Sequence, residues 1–245
     1  MKHVAILQSS YIPWKGYFDI INSVDEFVLY DDVQYTHRDW RNRNRIKTAS
    51  GLLWLTIPVT VKKHCHDKIC DVKVANKSWA NKQWKTVSMN YARAPYFKPL
   101  KNRFQALYTR CSEETCLSRI NYLFLKEICR MLDIHTRISW SMDYEIEGER
   151  SERLLHLCLL LNADVYLSGP AAKEYLDVKL FEENGVRVRW MSYDGYPEYS
   201  QLHGGPFIHH VSILDLIFNT GPDNARKHML SFSNMQSPDN HKSKV

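Results

Sequence analysis

HVAILQSSYIPWKGYFDIINSVDEFVLYDDV, residues 3–33, sets the fold class. Residues 3–10 are an apolar run ending in small polar residues, the pattern of a strand buried in a parallel sheet. Pro13 and Gly16 then mark a tight passage. Residues 17–24 carry apolar side chains at helical spacing, and residues 26–33 read as a second strand ending in Asp31 and Asp32. Strand, helix and strand at this spacing make a βαβ unit, and the usual right-handed crossover brings both strand carboxyl ends to one sheet edge.

Working outward, residues 52–59 are a third strand candidate, rich in β-branched and aromatic residues. A helical middle follows, with periodic segments at 81–94, 96–110 and 117–133; Pro95 stops the first and Pro99 falls early in the second. Strand patterns return at 136–144, 163–169 and 186–194, separated by an apolar helix at 151–162 with Ser151 as candidate N-cap. A last helix, 212–221, ends at Asn219 and Gly221. The expectation is an α/β fold, a three-layer Rossmann-like parallel sheet with a mostly helical insertion. One domain spans 1–231, the insertion lies at about 76–133, and 232–245 is a flexible basic tail.

Composition excludes several classes. The chain has 245 residues, 44% hydrophobic and 24% charged, which fits a globular domain and argues against wholesale disorder. Pro13, Trp14 and Lys15 interrupt the first apolar run before a signal sequence develops, and no run is long enough to span a bilayer. A cytoplasmic protein with reduced thiols is expected, its oligomeric state left open. Cys65 and Cys70, like Cys111 and Cys116, are spaced wrongly for a CxxC element, and His64 and His66 complete no four-ligand zinc set.

Four segments carry candidate chemistry. In QSSYIPWKGYF, Gln8, Ser9, Tyr11, Lys15 and Gly16 occupy a strand-to-helix turn, where free N–H groups, a lysine and a glycine suit an anion. No GxGxxG or P-loop pattern is present. In YDDVQYTHRDWRNRNR, one of Asp31 and Asp32 can enter the site while the other anchors the loop, and Asp32 with Gln34 could bind hydroxyl, amine or ribose groups or, with a bridging metal, polarise a phosphoryl substrate. Arg38, Arg41, Arg43 and Arg45 offer guanidinium forks for phosphate or carboxylate, with Asn42 and Asn44 between them. Trp40 would allow base stacking, but so short a basic block beside two acids points to a small nucleotide-linked metabolite rather than to nucleic acid. In ADVYLSGPAAKEYLD, Ser168, Gly169 and Lys173 follow another strand at the same sheet edge; no GxSxG elbow surrounds the serine. In PEYSQLHGGPFIHH, His203 precedes two glycines and is a candidate mobile base, with His209 and His210 less convincing beside an apolar segment.

ILQSSYIPWKGYFDII, YDDVQYTHRDWRNRNRI, YLSGPAAKEYL and HGGPFIHHVSILDLIFNTG together resemble the WbqC-like protein family, in order across about residues 3–221. Members occur in bacterial surface-polysaccharide (O-antigen) gene sets, and some carry a glycine-transferase or aminoacyl-transfer label. The resemblance therefore implies a transferase moving an acyl or aminoacyl group from an activated donor, a carrier-protein thioester, to a nucleotide-linked amino sugar. In it His203, Asp31 or Asp32 would remove a proton, while Arg41, Arg43 and Arg45 hold the phosphates of donor or acceptor. Two alternatives stay open. One is nucleotide-dependent activation or nucleotidyl transfer, with Mg2+ on Asp31 or Asp32, although WKGYF lacks the paired histidines of adenylyl-transferring Rossmann-like enzymes. The other is non-catalytic binding of a nucleotide sugar or an acyl carrier protein. Apart from that optional Mg2+, no cofactor or metal is expected.

Overall fold

The computed structural model describes residues 1–61 and 67–234. The opening apolar runs form β1 (His3–Leu7) and β2 (Glu26–Leu29), joined by α1 (Lys15–Asn22). Val4 and Ile6 of β1 and Val28 of β2 enter one apolar cluster, whereas Ala5, Phe27 and Leu29 enter another. Successive strand side chains face opposite sides, so this division means that the sheet is packed on both faces.

From β2 the chain leaves the sheet. β3 (Arg43–Thr48) and β4 (Gly51–Thr56) pair antiparallel, and β5 (Val59–Thr60) and β6 (Lys73–Val74) make a second short pair. Three helices follow: α2 (Ser78–Tyr91), α3 (Phe97–Ser112) and α4 (Leu117–Met131). The chain then returns through β7 (Arg137–Trp140), α5 (Arg150–Leu160), β8 (Val165–Ser168), α6 (Val178–Glu183) and β9 (Arg187–Trp190). After an irregular stretch come α7 (Ile213–Thr220), α8 (Pro222–Ala225) and α9 (Leu230–Asn234).

Five strands form the central sheet in the order β7-β2-β1-β8-β9, every pairing parallel. Residues of α5 and α6 pack on one face; α1, α4 and α7 pack on the other. This is the Rossmann-like α/β arrangement. Strand order reverses between β1 and β8, and in such sheets ligands bind outside the carboxyl ends of the strands at that reversal.

Several local expectations are corrected. Residues 52–59 do not join the central sheet: the strand there, β4, pairs only with β3, and its mostly exposed side chains would not suit an interior position. Residues 43–48, read as a basic cluster, are its partner strand. Glu149, not Ser151, is the N-cap of α5; the Ser151 hydroxyl instead accepts from the Asp177 N–H at 3.0 Å. Pro170–Glu174, which carries Lys173, is a 3-10 turn. His64, Cys65 and His66, and the tail from 235 onward, lie outside the described residues. Among the described residues no helix is long and apolar enough to cross a membrane.

Candidate functional site

The segment after β1 crosses the carboxyl edge of the sheet, and a cleft of about 450 Å³ opens beside it. Leu7, Gln8, Ser10, Pro13, Trp14 and Tyr17 form one side. Trp40, Arg41, Asn44 and Arg45 form the other, with His210 arriving from the far end of the chain. A wider groove of about 1210 Å³ is lined by Met1, His3, Asp25 and Arg226 among others. It runs from the amino ends of β1 and β8 to the carboxyl end of β9, whereas the smaller cleft sits at the carboxyl end of β1, where the strand order reverses.

Period-two alternation in RNRNRI builds the cleft's basic side. Asn42 and Asn44 are buried and point inward: Asn42 Nδ2 donates to the Ile57 carbonyl at 2.9 Å, and Asn44 Nδ2 to the carbonyls of Tyr11 and Ile12 at 3.1 and 2.9 Å. Ile12 has φ 35°, a strained value for a β-branched residue, so Asn44 secures the turn that shapes the cleft. The arginines take the other face. Arg43 lies 4.2 Å from the centre of a Trp54 ring, and Arg45 lies 5.5 and 5.3 Å from Trp40 and Trp54. Arg45 Nη2 also donates to the His210 carbonyl at 3.2 Å. The Nε groups of Arg41, Arg43 and Arg45 are buried and have no hydrogen-bond acceptor among the described residues. Such donors cost about 1–3 kcal/mol each when left unpaired. No carboxylate lines the cleft.

Neither aspartate lines the cleft. Asp31 is fully buried: Oδ1 accepts the Ser9 N–H at 2.7 Å, and Oδ2 accepts the Ser118 hydroxyl. Burial raises its pKa above the ordinary carboxylate value, against the lowering effect of those bonds and of Arg41. Asp32 is held by the Ser141 hydroxyl and by Arg153. Both anchor the segment after β2, and carboxylates so committed do not fit the Mg2+ that the nucleotide-dependent alternative would place on them. Among the described residues no cluster of three His, Cys, Asp or Glu side chains forms a metal site.

Other candidates are dispersed. Gln8 lines the cleft through its own residue, whereas Ser9 is turned inward to accept from Asn121 Nδ2 at 3.0 Å. The Tyr11 hydroxyl donates to Gln83 Oε1 at 2.6 Å inside the core. Gln34 is exposed and bridged to Lys68, and Arg38 is exposed with φ 57°. Ser168 is buried, and Gly169 faces the Tyr193 hydroxyl, whose ring packs on Trp14. Lys173 lies over Trp190 at 5.7 Å. His203 Nε2 is 3.0 Å from the Asn90 carbonyl and does not line the cleft; His210 does, its ring 5.1 Å from that of Trp14. Trp14, Tyr17, Trp40 and His210 are thus the site residues that charge-based reading of the sequence undervalues. Gly16 serves the same wall: a Cβ there would stand 2.4 Å from Trp14 Cζ2.

Lys15 turns away from the cleft. Its ammonium donates to the Pro197 carbonyl at 3.1 Å and lies 4.5 Å from the Tyr196 ring centre. It ties α1 to the irregular stretch 191–212 that delivers His210, and Lys47 does the same through Gln201 and Pro206, both at 2.9 Å. Burial lowers the Lys15 pKa from 10.5 to about 8, partly opposed by Asp19 and Glu198. The unfolded chain therefore binds the extra proton across pH 8 to 10.5, and this lysine's contribution to stability rises with pH over that window. Denaturant unfolding of the wild type against Lys15→Met is expected to show their difference shifting toward the wild type from pH 8 to 10.5; a pH-independent difference would contradict the assignment.

Comparison with known proteins places the chain. A family model described as the WbqC-like protein family matches residues 8–227. Uncharacterized protein Rv1507c of Mycobacterium tuberculosis (strain ATCC 25618 / H37Rv) is 48% identical over 223 residues, covering 91% of this chain and 96% of that protein. No solved structure matches. The match from Gln8 to Lys227 takes in both sides of the cleft and His210, and the chain belongs to the WbqC-like protein family.

Proposed function

We propose that this protein transfers an acyl or aminoacyl group from an activated donor, a carrier-protein thioester, to the amine of a nucleotide-linked amino sugar. One observation carries the reading: at the strand reversal lies a cleft with two arginines, a histidine and no carboxylate, walled by Trp14 and Trp40. Guanidinium forks suit a diphosphate, and indole faces suit a base or sugar ring. Family membership points in the same direction, toward polysaccharide biosynthesis.

In this reaction the amine nitrogen attacks the thioester carbonyl carbon; a C–N bond forms and the C–S bond breaks. His210, rather than His203, accepts the amine proton and returns it to the departing thiolate. The test is a reaction of purified protein with loaded carrier proteins and nucleoside-diphosphate amino sugars, followed by product mass. An amide is expected, and His210→Gln is expected to lower kcat about a hundredfold with KM little changed. Absence of amide with a matched substrate pair would reject the reading. Pyrophosphate release from ATP would move it to nucleotide-dependent activation, with the arginines as the phosphate holders.

A further inference from the structure

We infer that a second ligand site backs onto the first, and that it takes an elongated phosphate-bearing ligand with an apolar stem, the chemistry of a phosphopantetheine arm. The assignment of that arm to the donor rests on the proposed transfer reaction; the existence of the site does not.

The site is a cleft of about 670 Å³ at the carboxyl end of β7, with Cys70, Ser118, Tyr122 and Trp140 among its walls and Arg110 and Arg119 at its rim. Its acids are already committed. Glu113 pairs with Lys77 at 2.8 Å, Glu114 accepts the N–H groups of Thr115 and Cys116 at 2.7 and 2.9 Å, and Asp143 accepts the Trp140 N–H at 3.1 Å. Arg110 and Arg119 are exposed, and neither side chain makes a hydrogen bond or ion pair among the described residues. Lys77 neutralises Glu113, and Glu114 and Asp143 are turned onto backbone N–H groups, so the Arg110 and Arg119 guanidiniums are the charged side chains of the rim left without a partner. Tyr122 and Trp140 supply an apolar wall, their ring centres 4.4 Å apart.

Placement beside the first cleft gives the second its meaning. Asp31 joins them: one oxygen takes the N–H of Ser9, between the cleft residues Gln8 and Ser10, and the other takes the hydroxyl of Ser118, which lines the second cleft. Asn121, on the same turn of α4 as Ser118 and Tyr122, donates to Ser9 Oγ at 3.0 Å and to the Arg41 carbonyl at 2.9 Å. β2 lies between β1 and β7, so both clefts lie along one edge of the sheet, two strands apart.

Cys70 gives a local readout. It is the one half-buried thiol among the described residues; the other described cysteines are buried. The probe is phosphopantetheine with its thiol methylated; because burial pushes the Cys70 thiol up to about 11, its alkylation by iodoacetamide is followed over hours at about pH 9.5 and mapped by peptide mass. The probe is expected to protect Cys70. Arg110→Gln with Arg119→Gln is expected to weaken probe binding about tenfold, while Arg41→Gln with Arg45→Gln leaves the protection in place. Thermal unfolding checks that both double variants are folded. Unchanged Cys70 alkylation, or protection lost with Arg41 and Arg45 instead, would overturn the inference. Protection without amide formation supports this site and removes the transfer reading; amide formation with a donor KM indifferent to Arg110 and Arg119 does the reverse.

Discussion

Replacing Arg41 and Arg45 together by glutamine is expected to weaken binding of a nucleoside-diphosphate amino sugar about a hundredfold, measured by calorimetry at fixed ionic strength. Each guanidinium lines the cleft and has a buried Nε without an acceptor in the protein. A charge-assisted hydrogen bond to phosphate contributes about 1.5–3 kcal/mol, so two of them reach the hundredfold range. The fold should tolerate the change, because the interactions lost inside the protein are modest: one bond from Arg45 to the His210 carbonyl, its contacts with the Trp40 and Trp54 rings, and a 3.8 Å approach of Arg41 to Asp39. An affinity within about threefold of the wild type would remove phosphate recognition from this cleft.

Asp31→Ala is expected to lower stability by about 3 kcal/mol, read as a fall in Tm of roughly 10 °C. The substitution leaves the buried Ser9 N–H without its acceptor and the Ser118 hydroxyl without a partner, at the wall between the two clefts. Asp31→Asn should behave differently. Its amide oxygen can keep the Ser9 N–H, and its amino group can donate to a reoriented Ser118 hydroxyl, so the cost falls to about 1 kcal/mol or less. The sign of the pH dependence separates the two residues. A carboxyl whose folded pKa is raised favours the folded state most at low pH, and that contribution is lost as pH climbs from 3.8 through the raised value. Wild-type stability relative to Asp31→Asn should therefore decline across that interval. Retained turnover in Asp31→Asn would assign the residue to structure, whereas loss of turnover with intact stability would restore it as a base.

The sheet was legible because its signals are local. Apolar runs at 3–7, 26–29 and 165–168 are short, flanked by polar breaks and buried on both faces, and nothing in their sequence competes with a strand. The RNRNRIK stretch was harder. Its charges suggested a basic loop, yet its alternation is the pattern of a strand with Asn42 and Asn44 turned inward. That period also separates framework from binding side chains, since only the arginines remain on the outer face. Asp31 and Asp32 showed where the segment after β2 begins, but sequence could not reveal that Ser118, Ser141 and Arg153 would occupy their oxygens from 87 to 121 positions away. His210 was obscured for the same reason: it reaches the cleft through a long irregular stretch pinned by Lys15, Lys47 and Asp215, contacts that no local pattern encodes.

The most direct measurement is a crystal structure of the protein soaked with a nucleoside-diphosphate amino sugar. The account predicts the diphosphate against the guanidiniums of Arg41 and Arg45, the ligand's rings against Trp14 or Trp40, and the sugar amine within hydrogen-bond reach of His210. A ligand seated in the wider groove near Arg226, or one in the cleft whose amine points away from His210, would contradict it.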